Sequence, residues 1–279
     1  MFDAGLMKLL LKIGLVGFAL YCAALLYVYV KQRSFMYFPP MHGAQADVFA
    51  ARGETILNVS LGGTGEMRAI YGPPPNDDAP VILFFHGNGS AAHQYTPYFD
   101  DFKAWGAGFL AAEYPGYAGN LGAPNEADIF ASGQAHYDAL LGQGIKPEKI
   151  YIFGHSLGAA VAVDVAKNNK AKGLILGAPF LSMKAMARQQ MPFFPTGILI
   201  KDGYRSDLKI IDIETPLLIV HGSMDEMIPL SQAEQLYGLK PGEKQFAVIE
   251  NGRHDFWNTA GPLHIQRFIA RQEAGISAP

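Results

Sequence analysis

The sequence predicts an α/β fold, in which helices cover both faces of a mostly parallel sheet with an antiparallel start. Short apolar runs alternate with longer amphipathic stretches over most of the 279 residues. The runs are rich in Val, Ile, Leu, Phe and Ala without polar alternation, which is typical of strands buried on both faces. Because parallel strands need long right-handed crossovers, this succession indicates an open sheet wrapped by helices.

The composition excludes several classes of protein. Hydrophobic residues make up 49% of the chain and charged residues 17%, which excludes a disordered or collagen-like chain. The net charge is -3, and Lys and Arg are scattered, so we expect no nucleic-acid partner. The single cysteine, Cys22, can form neither an internal disulfide bond nor a zinc site built from thiolates.

An uncharged apolar segment lies near the N-terminus, at residues 13–30. As a helix that rises about 1.5 Å per residue, it spans about 27 Å, close to the hydrocarbon thickness of a bilayer. The segment is too long for the apolar part of a cleaved signal peptide, and no small-residue cleavage pattern closes it. A lipoprotein signal also fails, because Tyr21 precedes Cys22. We therefore predict an uncleaved, single-pass membrane anchor at residues 1–33.

The charges beside the apolar segment do not fix its orientation, since Lys8 and Lys12 precede it and Lys31 and Arg33 follow it. A short N-terminal segment is easily retained inside the cell. This favours an extracytoplasmic location, periplasmic in a bacterium, for the domain that follows. Aromatic residues suited to a membrane interface follow the middle of the segment: Tyr27, Tyr29, Phe35, Tyr37 and Phe38.

Two further regions follow the anchor. Residues 34–54 are rich in Pro, Gly and Ala without a period and are predicted as a linker, and residues 55–279 are predicted as one domain with a single core. An opening antiparallel pair is expected at residues 55–61 and 67–71, around Gly62 and Gly63. Further strands are predicted at residues 81–85, 108–113, 149–153, 173–176, 216–220 and 245–249. Helices are predicted at residues 91–104, 126–141, 157–167, 181–190, 231–239 and 261–274.

A Gly-x-Ser-x-Gly pattern joins one predicted strand to the next predicted helix. Residues 149–153 run into the pentapeptide GHSLG, which contains Gly154, Ser156 and Gly158, and an Ala- and Val-rich helix follows. In this context the pattern is a nucleophile elbow, where a sharp turn strains the serine backbone and the glycines let strand and helix approach closely. The sequence therefore predicts Ser156 as the nucleophile of a serine hydrolase.

A serine nucleophile needs a base and an orienting carboxylate, which after such an elbow follow in the order Asp, then His. Asp225 comes just beyond the predicted strand at residues 216–220, and His254 lies in the loop after the strand at residues 245–249. Both positions lie at the carboxyl edge of the sheet, where active residues of open α/β sheets are found. We predict Asp225 as the acid and His254 as the base.

Other residues compete for these two roles. Glu226 and Asp255 are rival carboxylates, but Asp255 adjoins His254, and neighbours in an extended loop point apart. His221 precedes the Asp225 turn and is expected to pack structurally.

An acyl-transfer site also needs donors for the developing oxyanion. One should be the backbone amide of Leu157, the residue after the nucleophile, and the other should come from the loop after the strand at residues 81–85. That loop reads HGNGS, and its glycines favour an inward amide at Asn88. His86, at the start of the loop, is expected to brace it.

The same loop supports a competing interpretation. Gly87-x-Gly89-x-x-Ala92 follows a strand and opens a helix, and Glu113 ends the next strand, as in a dinucleotide-binding oxidoreductase. Three triad elements in order have no place in such a protein. A catalytically inactive, tethered binding domain is a third interpretation. Labelling by a fluorophosphonate distinguishes the three, because only a serine hydrolase reacts at its nucleophile.

The apolar anchor followed by SFMYFP, and then HGNGS, EYPGYAGNLGAPNE, GHSLG, HGSMDEMIP and NGRHDFW, resembles the membrane-anchored α/β-hydrolase-domain proteins of bacteria and eukaryotes. These are related to the serine aminopeptidase and lysophospholipase branch of the α/β-hydrolase superfamily. The resemblance covers nearly the whole chain and implies an α/β-hydrolase fold. It also implies Ser156 as nucleophile, Asp225 as acid, His254 as base, and Asn88 and Leu157 as oxyanion donors.

One loop departs from the pattern of these proteins. Glu113, Ala118 and Asn120 stand where they usually have Asp, the second Gly of Gly-Tyr-Gly, and Ser. The departure leaves the triad untouched, but it removes the basis for a substrate preference drawn from that loop.

The sequence as a whole indicates a membrane-anchored serine hydrolase that acts on a small-molecule or lipid ester or thioester without a metal or organic cofactor. Aminopeptidase-type cleavage of an amide is the alternative. The sequence does not indicate the oligomeric state. Residues 183–199 are rich in Met and Phe, and are either an acyl-chain wall, with Met191, Phe193 and Phe194, or a core-facing helix followed by a loop.

Overall fold

The computed structural model describes residues 4–61, 65–191 and 195–276, and within them eight strands form one sheet. The strands are β1 (Thr55–Ser60), β2 (Glu66–Gly72), β3 (Val81–Phe85), β4 (Gly108–Ala112), β5 (Ile150–His155), β6 (Gly173–Gly177), β7 (Leu217–Gly222) and β8 (Lys244–Ile249). Their order is β1-β2-β4-β3-β5-β6-β7-β8. β2 pairs antiparallel with β1 and β4, and all other pairs are parallel. The predicted fold class is confirmed.

Helices cover both faces of this sheet. They are α1 (Ala4–Met36), α2 (Ala46–Ala50), α3 (Thr96–Ala104), α4 (Glu126–Gly142), α5 (Leu157–Asn168), α6 (Met183–Gln190), α7 (Thr196–Leu199), α8 (Ser206–Lys209), α9 (Leu230–Leu239) and α10 (Gly261–Glu273). One face packs on α4, α5 and α9, and the other on α3 and α10. The central strands have no exposed side chains, which explains their unbroken apolar runs.

The predicted elements differ from the observed ones mainly at their ends. The predicted helix at residues 91–104 is split into a 3-10 turn, Ala92–Tyr95, and α3, which has Pro97 in its first turn. Proline is tolerated there because its missing amide is one that a helix leaves unpaired. The turn predicted at Gly62 and Gly63 lies outside the described residues.

The N-terminal region is more ordered than the linker expected at residues 34–54. Helix α1 continues to Met36, and α2 forms with Phe49 buried against the domain. Between them Tyr37 is buried, and the carbonyl of Pro40 accepts the amide of Ala118 at 2.8 Å. Burial of these aromatic side chains stabilises the docked conformation, so the segment lies along the domain surface.

Within the described residues, α1 is the one helix long and apolar enough to cross a membrane, judged by length and composition alone. Its most apolar stretch has a mean hydropathy of 2.2, and none of that stretch is buried against the rest of the protein.

We expect Gly158→Ala, in the first turn of α5, to lower the free energy of unfolding by about 1–3 kcal/mol or more, because the added Cβ would collide with the carbonyl of Phe85. Gly142→Ala, at the end of α4, is the matched control. A Cβ there meets open space, so stability should stay equal or rise by up to about 1 kcal/mol. Thermal unfolding in detergent measures both variants. Equal midpoints for Gly158→Ala and the parent would contradict the close approach.

Candidate active site

The turn between β5 and α5 carries Ser156 at the carboxyl edge of the sheet. Its backbone has a φ of 55° and a ψ of -117°, a conformation that L-residues rarely adopt and that costs about 1–3 kcal/mol. The amide of Ser156 donates to the carbonyl of Gly177 on β6 at 2.8 Å, which fixes the turn. Gly154 has no room for a side chain, because a Cβ there would collide with the backbone of Gly158. The predicted elbow conformation is therefore present, and only glycine fits on both sides.

Asp225 and His254 meet at the same edge of the sheet. Asp225 lies in the turn after β7 and His254 in the loop after β8, and the Nδ1 atom of His254 is 2.8 Å from Oδ2 of Asp225. Because an ionised carboxylate only accepts hydrogen bonds, Nδ1 carries the proton and the lone pair lies on Nε2. Ser156 and His254 line one cavity of about 410 Å³. The three residues singled out from sequence are thus brought to one place.

The Asp225 carboxylate is buried and accepts several hydrogen bonds from the protein. Oδ1 accepts the backbone amides of Met227 and Ile228 at 2.8 and 2.9 Å. Burial raises the pKa of Asp225, but the hydrogen bond from His254 and those from the two amides outweigh it, so the pKa lies below its ordinary value. Asp225 therefore remains a carboxylate at neutral pH.

Two further histidines surround this pair. His221 is buried, donates from Nε2 to the carbonyl of Ile228 at 2.9 Å, and lies 3.4 Å from Asp225. His155 is buried and donates from Nε2 to the backbone carbonyl of His254 at 3.1 Å. Burial lowers the pKa of both imidazoles, that of His155 to about 4, so both are neutral at pH 7. They hold the site in shape without adding charge.

The two rival carboxylates, Glu226 and Asp255, have other partners. The side chain of Glu226 is 63% exposed and its nearest cation is Arg253, at 3.6 Å, whereas the Asp225 side chain is fully buried. Asp255 accepts the backbone amide of Trp257 at 3.0 Å. Within the described part of the chain, Asp225 is the carboxylate bonded to the His254 ring.

The loop after β3 lies against the elbow. A Cβ added at Gly87 would be 3.3 Å from Cβ of Ser156, so the loop backbone approaches the serine closely. Leu157 is the first residue of α5, where amides have no partner within the helix. Among the described residues, neither the Leu157 amide nor the Asn88 amide has a hydrogen-bond acceptor. Both are therefore available as donors.

Side-chain contacts of Asn88 hold this loop in place. Its Oδ1 accepts the hydroxyl of Tyr117 at 2.7 Å and the amide of Phe38 at 3.1 Å. Its Nδ2 donates to the carbonyl of Met36, the last residue of α1, at 2.7 Å. The predicted donor loop is thus fastened to the N-terminal region.

His86 and Glu113 form a buried pair under the same loop. The ring nitrogens of His86 lie 2.8 Å from the carbonyl of Gly87 and 3.1 Å from Oε2 of Glu113, and Oε1 of Glu113 accepts the amide of Ala92 at 2.8 Å. Both nitrogens face acceptors, so His86 is not free to act as a base. Both carboxylate oxygens of Glu113 bond to groups inside the protein. In a dinucleotide-binding protein, the corresponding carboxylate would instead bind a ribose. Ala118, at the expected glycine position, adopts a φ of 53°.

Two cavities meet at Ser156. The first, of about 450 Å³, also contacts Leu157, Phe180 and five methionines, Met36, Met183, Met186, Met191 and Met227. From the segment at residues 183–199, the cavity is lined by Met183, Met186, Ala187, Gln190, Met191 and Leu199, as the acyl-wall interpretation expects. Met183 and Met186 also pack against the hydrophobic core, as the core-facing interpretation expects. Phe193 and Phe194 lie outside the described residues.

The second cavity is the one shared with His254. Aromatic and polar side chains line it, among them Tyr95, Tyr98, Trp257, Gln94 and Asn258. In the described part of the chain no group of three or more His, Cys, Asp and Glu side chains is arranged to hold a metal ion.

Sequence reasoning missed the contribution of α1 to the first cavity. Val28, Tyr29, Gln32, Phe35 and Met36 line it. We interpreted this region as an anchor and aromatic belt. A signal was present, since Val28, Gln32 and Met36 recur at helical spacing and Gln32 is an uncharged polar residue among apolar ones.

Comparison with known proteins identifies relatives of this chain. A family model described as "Serine aminopeptidase, S33" matches residues 76–200. The uncharacterized protein MT2364 of Mycobacterium tuberculosis is 30% identical over 237 residues, which is 82% of each chain. The alpha/beta hydrolase domain-containing protein WAV2 of Arabidopsis thaliana is 31% identical over 211 residues, which is 68% of each chain.

A solved structure shows the same fold. The esterase Pf2001 of Pyrococcus furiosus superposes with a TM-score of 0.68 at 14% identity, covering 85% of this chain and 98% of that one. The identity to WAV2, together with the partial family match and the shared fold, shows that the chain belongs to the α/β-hydrolase family.

Proposed function

We propose that the chain is a membrane-anchored serine hydrolase that cleaves carboxylic esters or thioesters through an acyl-enzyme. The observation that carries the proposal is the strained Ser156 on its elbow, which shares a cavity with His254, whose ring is hydrogen-bonded to Asp225. A serine at its free pKa is a weak nucleophile, and this arrangement supplies the base and the carboxylate that activate it.

In the proposed reaction, Oγ of Ser156 attacks the carbonyl carbon of the substrate while Nε2 of His254 accepts the hydroxyl proton. The proton then passes from His254 to the leaving alcohol or thiol, and the acyl group stays on Ser156. Water then attacks the acyl-enzyme carbonyl while His254 accepts its proton. The proton passes to Oγ of Ser156, and the carboxylic acid is released. Asp225 keeps the proton of His254 on Nδ1 and stabilises the imidazolium that forms in each half-reaction.

The amides of Asn88 and Leu157 are the proposed oxyanion donors. They support this role because they border Ser156 and have no acceptor within the described residues. Donors fixed in place before the reaction stabilise developing charge without reorganisation, and each is worth about a hundredfold to a thousandfold in rate.

The two cavities support an acyl ester with distinct halves. The first is built from methionine, leucine and aromatic side chains and suits an apolar acyl chain. The second carries Gln94, Asn258 and the hydroxyl of Tyr95 beside aromatic rings and suits an alcohol or headgroup. Helix α1 supports a membrane anchor, and its short N-terminal flank supports an extracytoplasmic catalytic domain.

Aminopeptidase-type cleavage of an amide is the second candidate. The carboxylate of Glu226 lines the apolar cavity and could bind a substrate ammonium group. The mostly apolar surroundings favour the ester.

Ser156→Ala should lower ester turnover by about a thousandfold or more, because the nucleophile is lost while the fold remains. Ser231→Ala, at an exposed site on α9, is the matched control and should keep parental activity. Hydrolysis of p-nitrophenyl butyrate and labelling by a fluorophosphonate measure both variants. Labelling of Ser156→Ala to the parental level would assign the nucleophile elsewhere.

Asp225→Asn should also lower kcat/KM by about a thousandfold or more, because the amide no longer fixes the proton on Nδ1 of His254. Glu226→Gln makes the same change one residue later, at an exposed carboxylate, and should stay within a few-fold of the parent on esters. The two variants are compared on one soluble ester. The reverse ranking would make Glu226 the acid.

Activity on p-nitrophenyl esters should rise from acetate to octanoate, because each added methylene group gains roughly 0.8 kcal/mol by entering an apolar cavity. Aminoacyl p-nitroanilides should be poorer substrates. The readout is kcat/KM at each chain length. A steady fall from acetate, or better cleavage of the aminoacyl amides, would replace the acyl-ester proposal by a small-ester hydrolase or an aminopeptidase.

A further inference from the structure

Helix α1 is fastened to the catalytic domain at the end that follows its apolar span. Gln32 donates from Nε2 to the carbonyl of Leu199 at 3.0 Å and accepts the amide of Lys201 at 2.8 Å. The guanidinium of Arg33 pairs with the carboxylate of Asp202 through two hydrogen bonds, of 2.9 and 3.0 Å. A bidentate pair of this kind fixes the relative orientation of the guanidinium and the carboxylate as well as the distance between them. The last turns of α1 therefore have a defined orientation on the domain.

Tyr37, which follows α1 directly, strengthens this attachment. Its hydroxyl donates to Oδ2 of Asp202 at 3.0 Å and lies 2.8 Å from the hydroxyl of Tyr204. Burial raises the pKa of Tyr37, so the phenol keeps its proton. Asp202 is thereby bonded to both Arg33 and Tyr37, and its side chain is almost fully buried.

The fastened end of α1 forms one side of the apolar cavity that opens at Ser156. Val28, Gln32 and Met36 are half-buried and recur at helical spacing, so one stripe of the helix faces inwards. The other side comes from α6 and from Leu199. Without α1 this cavity would lack a side.

The cavity runs along the helix axis, away from the serine and towards the apolar span. The carbonyl of Met36 accepts from Asn88, so this end of α1 lies beside the proposed oxyanion loop. Val28 is two helical turns further, about 12 Å along the axis at about 1.5 Å per residue. Val28 also belongs to the uncharged segment at residues 13–30. The far end of the cavity therefore reaches the part of α1 that suits the bilayer boundary.

The edge of the cavity is apolar and exposed. Phe35, Phe38, Met191 and Met227 line it while each keeps more than a third of its surface accessible. An exposed apolar patch that is continuous with an apolar helix is typical of a membrane-facing surface. If the edge of the cavity faced only water, these exposed apolar side chains would not stabilise the protein or its contact with a membrane.

We infer that the last turns of α1 are part of the substrate site, and that the acyl chain of a lipid ester passes from the bilayer along α1 to reach Ser156. This inference rests on the proposed function, since it names the substrate class and the route for the same serine. The anchor then has two roles: it holds the enzyme at the membrane and forms a side of the acyl cavity. The ester group then travels from the bilayer boundary to Ser156 over a distance of about the length of the cavity.

The test compares two Val→Trp variants of the full-length enzyme in phosphatidylcholine vesicles. Val28→Trp fills the far end of the cavity, and Val30→Trp, whose side chain is 60% exposed, is the matched control on the same helix. The readout is the ratio of kcat/KM for p-nitrophenyl dodecanoate to that for p-nitrophenyl butyrate. We expect Val28→Trp to lower this ratio at least tenfold and Val30→Trp to leave it as in the parent.

A second measurement does not depend on a variant. A long-chain alkyl fluorophosphonate with a diazirine at the far end of its chain forms a Ser156 Oγ–P bond with loss of fluoride, and light then links the diazirine to its neighbour. We expect the link to lie on the α1 peptide that contains Val28, identified by mass spectrometry. A link to Tyr98 or Trp257 in the second cavity would overturn the inference.

The outcomes also separate the inference from the proposed function. If esters are cleaved but Val28→Trp keeps the parental ratio, the inference is wrong and the proposed function stands. If the parent enzyme remains with the vesicles after a carbonate wash, yet cleaves no ester and reacts with no fluorophosphonate, both are wrong. A lowered ratio for Val28→Trp alone, with the probe linked to α1, supports the inference.

Discussion

The site depends on the close approach of α5 to the carboxyl ends of β3 and β5. Gly158 lies against the Phe85 carbonyl and Gly154 against Gly158, with no space for a side chain between them. This contact holds Ser156 at a positive φ that an isolated turn would not keep. Because the loop of Asn88 begins where β3 ends, the same contact sets the distance between the serine and the proposed oxyanion donors. Packing of the central sheet thus maintains the strained backbone that the proposed chemistry uses.

The electrostatics of the site are simple because burial removes unwanted charge. His155 and His221 both border the pair of His254 and Asp225, and burial keeps each of them neutral. Asp225 remains charged because it accepts hydrogen bonds from His254 and from two backbone amides. In the proposed mechanism, a proton taken from Ser156 is received by His254 beside the Asp225 carboxylate, with no imidazolium at His155 or His221. This is the distribution that a serine hydrolase mechanism requires.

The position of α1 on the domain follows from a few long-range contacts. Arg33 and Asp202 are far apart in sequence, and together with Tyr37 they attach the end of α1 to the domain. The bond from Asn88 to Met36 extends this attachment to the loop beside Ser156. A helix that would otherwise be an independent tether is thereby joined to the catalytic edge. In our proposal this union brings the acyl chain and the serine together.

The sequence by itself determined the α/β fold, the apolar span and the local geometry of the elbow, because each depends on neighbouring residues. Unbroken apolar runs predict buried strands, and glycines on both sides of Ser156 predict the sharp turn. The order in which Asp225 and His254 follow strand ends predicted their proximity, because the carboxyl ends of parallel strands lie at one edge. Their catalytic roles remain predictions.

Only the tertiary structure decided how the distant parts meet. The pairing of β2 with β4 rather than β3, the neutral state of the surrounding histidines and the docking of residues 34–54 all depend on contacts between residues far apart in the chain. The role of α1 as a cavity side is the clearest case. Its residues resemble those of any membrane anchor, and the partners that orient it, Leu199 and Asp202, lie 167 and 169 residues further along the chain than Gln32 and Arg33. Local patterns carry no information about such long-range pairings, because packing and hydrogen bonding in the folded chain select these pairings.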